Sequence, residues 1–141
     1  MIFSFAKSWR RARSYMKPLT AEWVAKAEAD YQGAVALQRR RNQPLPDLVC
    51  FHCQQCAEKY LQALLQEDGV SFPKTHVLTD LLSLVTSTHS TLSSIQPLLV
   101  ILEDYAVKFR YPGLDATVAQ ARAAMKALRS ARRILRRKLK I

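Results

Sequence analysis

Arg110-Tyr111-Pro112-Gly113 is the stretch best equipped to handle an anion. A guanidinium presents a planar fork of donors that matches phosphate, a tyrosine ring offers a face for stacking, and Pro-Gly fixes a turn that can present both. Lys59, Lys74 and His76 are further candidates for phosphate or base contacts. Each has a plainer explanation. Arg110 could pair with Glu58, Glu103 or Asp104 and hold a helix end, a lone lysine usually marks a solvated edge, and His76 could begin a helix and tie that turn to a neighbour.

Cys50, Cys53 and Cys56 fall at intervals of three, and Cys53-Gln54-Gln55-Cys56 spells C-x-x-C beside His52. A zinc site would need a second ligand pair, which His76 or His89 would have to supply. Redox chemistry would want the pair at a helix start, not in mid-helix. Small thiols packed where another helix passes close satisfy the pattern better, so no metal and no cofactor are expected. Three thiols without a disulfide framework suit a reducing cytoplasm.

These residues need helices to position them. The sequence FHCQQCAEKYLQALL lies in a helix expected over residues 47–68, with Asp47 as N-cap and Gly69 as a left-handed stop. Val49, Cys53, Cys56, Tyr60 and Leu64 share one side; Phe51, Leu61 and Leu65 widen it; Gln54, Glu58 and Gln62 form a polar edge. A preceding helix is expected over 20–40, capped by Thr20, with Trp23, Ala27, Tyr31 and Leu37 along one face. The triplet Arg39-Arg40-Arg41 suits that helix's electronegative C-terminus. A short helix follows, from 75 or 76 to 86, then one from about 95 to 108 after a Ser/Thr-rich break. The last, over 115–139, is expected to carry Val118, Ala121, Met125, Leu128, Ala131 or Arg132, Leu135 and Leu139 inward. Lys126, Arg129, Arg133, Arg136 and Lys140 fall on another face, and its last turns are expected to project as a basic spike. The fold class is all-α: an up-and-down bundle of four main helices plus a short one.

The 141 residues suffice for one domain with a real core, and three glycines among many Ala, Leu, Gln, Lys and Arg favour helix. No apolar run approaches a bilayer span. The net charge of +11 is unevenly placed. Residues 1–17 carry five Lys/Arg and residues 122–141 nine, both without an acid, whereas the interval between them holds eight basic and eleven acidic residues. Basic ends suit a polyanion, or simply solubility. Residues 1–17 form a basic extension, with Phe5, Trp9 and Ala12 able to share a helical face, and residues 18–141 the helical domain. The extension lacks the h-region and cleavage site of a secretory signal; a transit-like segment, a disordered arm, a membrane-surface helix and a packing extension all remain open.

The pattern FH-x-QQ-x-AEKYL-x-ALL resembles the second helix of the HEPN domain. Two further stretches agree in order and separation: Lys74-Thr75-His76-Val77-Leu78 with Leu81-Leu82, and Tyr105-Ala106-Val107-Lys108-Phe109-Arg110-Tyr111-Pro112-Gly113. The resemblance covers roughly residues 18–138. Many HEPN domains are metal-independent ribonucleases with Arg, four to six residues, then His; the histidine serves as acid or base at the ribose 2′-hydroxyl and the arginine steadies the phosphate. Arg110 matches that arginine, but positions 115 to 117 are Asp115, Ala116 and Thr117, and no histidine follows. The resemblance therefore implies the branch that lacks the nuclease pair and is associated with a minimal nucleotidyltransferase. It implies a homodimer that binds nucleotide or RNA in a toxin–antitoxin-type arrangement, with Arg110, Tyr111, His76, Lys59 and Lys74 as binding residues. Two alternatives stand beside it: a ribonuclease toxin using Arg110 with an atypical partner group, and a module whose basic ends contact membrane or acidic protein.

Overall fold

A computed structural model describes residues 16–141, and all regular structure among them is helical. Helix α1 spans Pro18–Arg39, α2 Pro46–Glu67, α3 Leu78–Val85, α4 Gln96–Leu102 and α5 Val118–Lys138. Short 3-10 turns flank α4 at Ser90–Ile95 and Glu103–Ala106. The expected helix over 95–108 is thus divided: α4 proper lasts seven residues, and Ile101 on it is exposed. The proposed face of Phe5, Trp9 and Ala12 lies outside the described residues.

Prolines rather than polar caps open the first two helices. Pro18 and Pro46 stand at the first helical positions, where a missing N–H costs nothing and φ is already set. Thr20, expected as a cap, is instead inside α1 and buried, and Asp47 is inside α2 with its Oδ1 accepting the Ala116 N–H at 2.6 Å. The α2 stop is as expected. Gly69 has φ +69°, and the Val70 and Gly69 amides donate to the carbonyls of Leu65 and Gln66 at 2.9 and 3.2 Å. Helix α3 begins later than expected because two side chains serve its start from outside. Thr75 Oγ1 accepts the Val77 N–H, and Glu103 Oε1 accepts the Thr79 N–H at 2.8 Å. Helix α5 starts at a capping box: Thr117 Oγ1 accepts the Gln120 N–H while Gln120 Oε1 accepts the Thr117 N–H. That box leaves Asp115 ahead of the helix, not in its first turn.

Helix α2 is the centre of the bundle. Cys53, Cys56, Tyr60, Leu61, Leu64 and Leu65 are all buried. Its expected polar edge is buried too: Gln54, Glu58 and Gln62 are 0, 5 and 6 % exposed, because α3 and its lead-in cover that side. Helix α1 runs antiparallel to α2, as Lys17 N–H to Glu67 Oε1 and Asp30 to His52 show. Helix α5 runs parallel to α2, pairing Ala116 with Asp47, Met125 with Cys53 and Arg136 with Tyr60 along its length.

The C-terminal turns do not project. Leu135 and Leu139 are buried, and Arg136, expected on the basic face, is only 8 % exposed. Its Nη1 donates to Glu28 Oε1 at 2.7 Å and to the Tyr60 hydroxyl at 2.8 Å. Arg132 holds the same Glu28 carboxylate through Nε at 3.2 Å and through Nη2, and lies 4.0 Å over the Tyr31 ring. Arg132 and Arg136 are four residues apart and so share one face of α5, and that face is the one turned toward Glu28.

Candidate functional site

After α4, the Glu103–Ala106 turn is extended by amides of Val107 and Lys108 donating to the Asp104 carbonyl, and by Arg110 N–H donating to the Val107 carbonyl at 3.2 Å. Phe109 is buried against Tyr105, which anchors the turn and leaves Arg110 and Tyr111 outside. Gly113 has φ +114°, a conformation that side chains strain, and it reverses the chain toward α5. The bond from Ala116 N–H to Asp47 then pins the returning chain to the start of α2.

Arg110 does not pair with Glu58, Glu103 or Asp104. Glu58 accepts from Gln54 Nε2 and faces His76 Nδ1 at 2.7 Å, while Glu103 is occupied by Thr79. Among the described residues the Arg110 side chain makes no ion pair. Its Cζ stands 5.3 Å over the Phe51 ring and 6.0 Å from the Tyr111 ring. Such contacts contribute about 0.5–1 kcal/mol at exposed positions and orient the guanidinium without consuming its donors. Phe51 was legible only as added apolar surface; its place under Arg110 depends on the long-range return of the 107–116 segment.

An open groove of about 650 Å³ runs beside this platform, lined by Phe51, Arg110, Asp115 and the loop residues Pro44 and Leu45 among others. Asp115, at a position where the ribonuclease histidine would stand, is exposed and lines the same groove as Arg110. Among the described residues the groove is lined by one cation, Arg110, and by two carboxylates, of which Asp47 is engaged by Ala116 N–H, with apolar side chains between them.

The other predicted binding residues are spread out. His76 is exposed and held by Glu58, seven residues along α2 from Phe51, a rise of about 10 Å. It ties the lead-in of α3 to α2, as its structural interpretation expected, but it stands two residues ahead of α3 and does not cap it. Lys74 is exposed in the connector before α3. Lys59 faces α1, its Nζ 2.5 Å from Asp30 Oδ2, and His52 Nδ1 lies 2.8 Å from Asp30 Oδ1. Arg110 and Tyr111 therefore share a site; Lys59, Lys74 and His76 do not converge on it.

Asp30 is buried, which alone would raise its carboxyl. Hydrogen bonds from His52 and Lys59 and the charge of Lys59 more than offset burial and hold it below its ordinary 3.8. A carboxyl depressed in the folded state contributes stability that is complete above its unfolded pKa and lost as pH falls through the native value. Asp30→Asn is accordingly expected to cost about 1–3 kcal/mol near neutrality. Urea unfolding should show wild type and variant converging as the pH is taken below about 3.8. A difference that persists unchanged in acid would mean that packing, not charge, sets the effect.

The cysteines behave as core. Burial first, then the neighbouring Asp47 carboxylate, pushes the Cys50 thiol up to about 11. Burial drives Cys53 and Cys56 higher still. Cys53 Sγ contacts Met125 Sδ at 3.3 Å, where α5 crosses. Thiols held this far from ionisation carry little thiolate near neutral pH. His52, His76 and His89 each face a carboxylate instead, His89 Nε2 lying 2.8 Å from Asp68 Oδ2. Among the described residues no group of three His, Cys, Asp or Glu side chains is placed to hold a metal ion, and no helix is long and apolar enough to cross a membrane.

Comparison with curated proteins and with solved structures gave no match in either case. The HEPN domain family model matches residues 20–141, spanning α1 to α5 and the Arg110 turn. The chain belongs to the HEPN domain family.

Proposed function

We propose that this protein is a non-catalytic HEPN protein that binds nucleotide or RNA at the Arg110 groove. The observation that carries this is the guanidinium itself: exposed, oriented over Phe51, and without an ion pair among the described residues. Such a group is available to phosphate, while Phe51 and Tyr111 supply faces for a base. The histidine that would complete the family's ribonuclease pair is replaced, with Asp115, Ala116 and Thr117 at its possible positions. Family membership supports a homodimer in the reducing cytoplasm, paired with a minimal nucleotidyltransferase in a toxin–antitoxin-type system. The buried free thiols suit that compartment.

One feature favours a second reading. Arg110 and Asp115 line one groove, so a carboxylate stands where a base would be wanted in an atypical metal-independent ribonuclease. Incubating the full chain with mixed RNA in EDTA, beside folded Arg110→Ala and Asp115→Asn, separates the two. Intact RNA throughout, with RNA binding weakened by about tenfold or more in Arg110→Ala, is the expected result. Cleavage by wild type alone would replace binding with catalysis. Equal RNA binding by wild type and Arg110→Ala would remove the groove from either account.

A further inference from the structure

The 44–46 loop separates two grooves. One is the Arg110 groove; the other, of about 690 Å³, is walled by Arg39, Arg40 and Arg41 from the end of α1 and by Arg122 from α5, with Val49 and Val118 as apolar lining. Pro44, Leu45 and Pro46 line both grooves, so the two meet at that loop. Among the described residues no acidic side chain lines the second groove. All four arginines are exposed, and none makes an ion pair among the described residues. Arg40 Nε donates to the Asn42 carbonyl at 2.9 Å, which fixes one edge of that guanidinium and leaves the other for a ligand.

Compensation of the α1 C-terminus explains only part of this. A helix end carries about half a negative charge, which one arginine in the last turn already offsets. Arg39 occupies that turn. Arg122 comes from another helix, five residues into α5, where the dipole gives a cation no benefit. The start of α2 also borders the groove and adds the positive end of a 22-residue helix. The contrast with Arg132 and Arg136 is direct: those two converge on the Glu28 carboxylate, whereas these four line a groove that holds no carboxylate among the described residues.

We propose that the Arg39–Arg41/Arg122 groove is a track for the phosphates of single-stranded RNA, continuous over the 44–46 loop with the Arg110 groove. The inference rests on the RNA-binding reading above and narrows its ligand to a strand of several nucleotides. Four exposed guanidinium groups beside an apolar lining, none in an ion pair among the described residues, suit a backbone with one charge per unit, and the adjoining Phe51 and Tyr111 faces suit its bases.

The test uses the full chain, labelled oligouridylate of about ten nucleotides in fluorescence anisotropy, and UMP in calorimetry. Arg40→Gln/Arg41→Gln/Arg122→Gln is expected to lose at least about tenfold in oligomer affinity, with a log–log salt slope shallower by about 2 for three lost phosphate contacts. UMP binding should be unchanged in that variant and lost in Arg110→Ala. Because all three positions are exposed, circular dichroism should show an unaltered fold; Arg122→Glu alone should give the same change on a smaller scale. Oligomer binding with wild-type affinity and salt slope in the triple variant overturns the track while leaving the Arg110 site standing. Failure of wild type to bind either ligand overturns both. Displacement of the oligomer by polyglutamate of equal length at equal concentration overturns RNA as the occupant and points to an acidic protein.

Discussion

Replacing Glu28 with alanine is expected to lower the stability of the fold by about 3–5 kcal/mol. Glu28 is the shared acceptor of Arg132 and Arg136, and Arg136 also donates to the Tyr60 hydroxyl in the core. Removing the carboxylate takes from two largely desolvated guanidinium groups the acceptor they share, a cost larger than the pair's own attraction. The same carboxylate matters to its neighbours in other ways. Burial, then Glu28, raises the Tyr60 hydroxyl's pKa, and hydrogen bonds to Glu28 raise that of Arg132 despite burial. Arg133→Ala is the control: its side chain is exposed beside the network, and a change within about 0.5 kcal/mol is expected. Equilibrium urea unfolding of both variants checks the pair of values. Equal effects would mean that the Glu28 cluster is ordinary surface electrostatics.

Leu61→Ala should cost about 2–5 kcal/mol, through lost burial and the cavity left behind. Leu61 is fully buried on α2, the helix that α1, α3, α4 and α5 all contact. Leu48→Ala, one turn from the start of the same helix and 43 % exposed, provides the comparison and should change little. Alanine is the better helix former at both sites, so a loss of stability confined to Leu61→Ala in thermal and urea denaturation would report the cavity and not helix propensity.

The heptad-like run from Val49 to Leu64 made α2 and its burial legible, because periodicity is a local property of the chain. The Gly69 stop was legible for the same reason. What failed depended on partners distant in sequence. Thr20 is a local exception, displaced as a cap because Pro18 opens its helix, whereas Asp47, behind Pro46, bonds to Ala116, 69 residues away. The buried state of Glu58 and Gln54 needs the 76–79 segment, and that of Arg136 needs Glu28, 108 residues earlier. At the candidate site, the sequence offered Arg110 and Tyr111 as candidates but gave no sign of Phe51 beneath the Arg110 guanidinium. The Arg39–Arg41 triplet had a sufficient local explanation at the α1 end; only the approach of α5 brings Arg122 across from it. Long-range closure, not local propensity, assembles both grooves.

The parallel course of α2 and α5 has a consequence for how the chain emerges during synthesis. Helices α1 and α2 are neighbours in sequence and antiparallel, so they can form a hairpin once residue 67 has been made. The flank of α2 bearing Cys53 and Tyr60 then waits for Met125 and Arg136, the contributions of the last helix. Until α5 arrives, an apolar strip of the central helix and the lone Glu28 carboxylate face outward together. The nascent hairpin is therefore a sticky, acid-marked surface awaiting its own basic final segment, and that opposite charge biases it toward its proper partner over other exposed apolar chains.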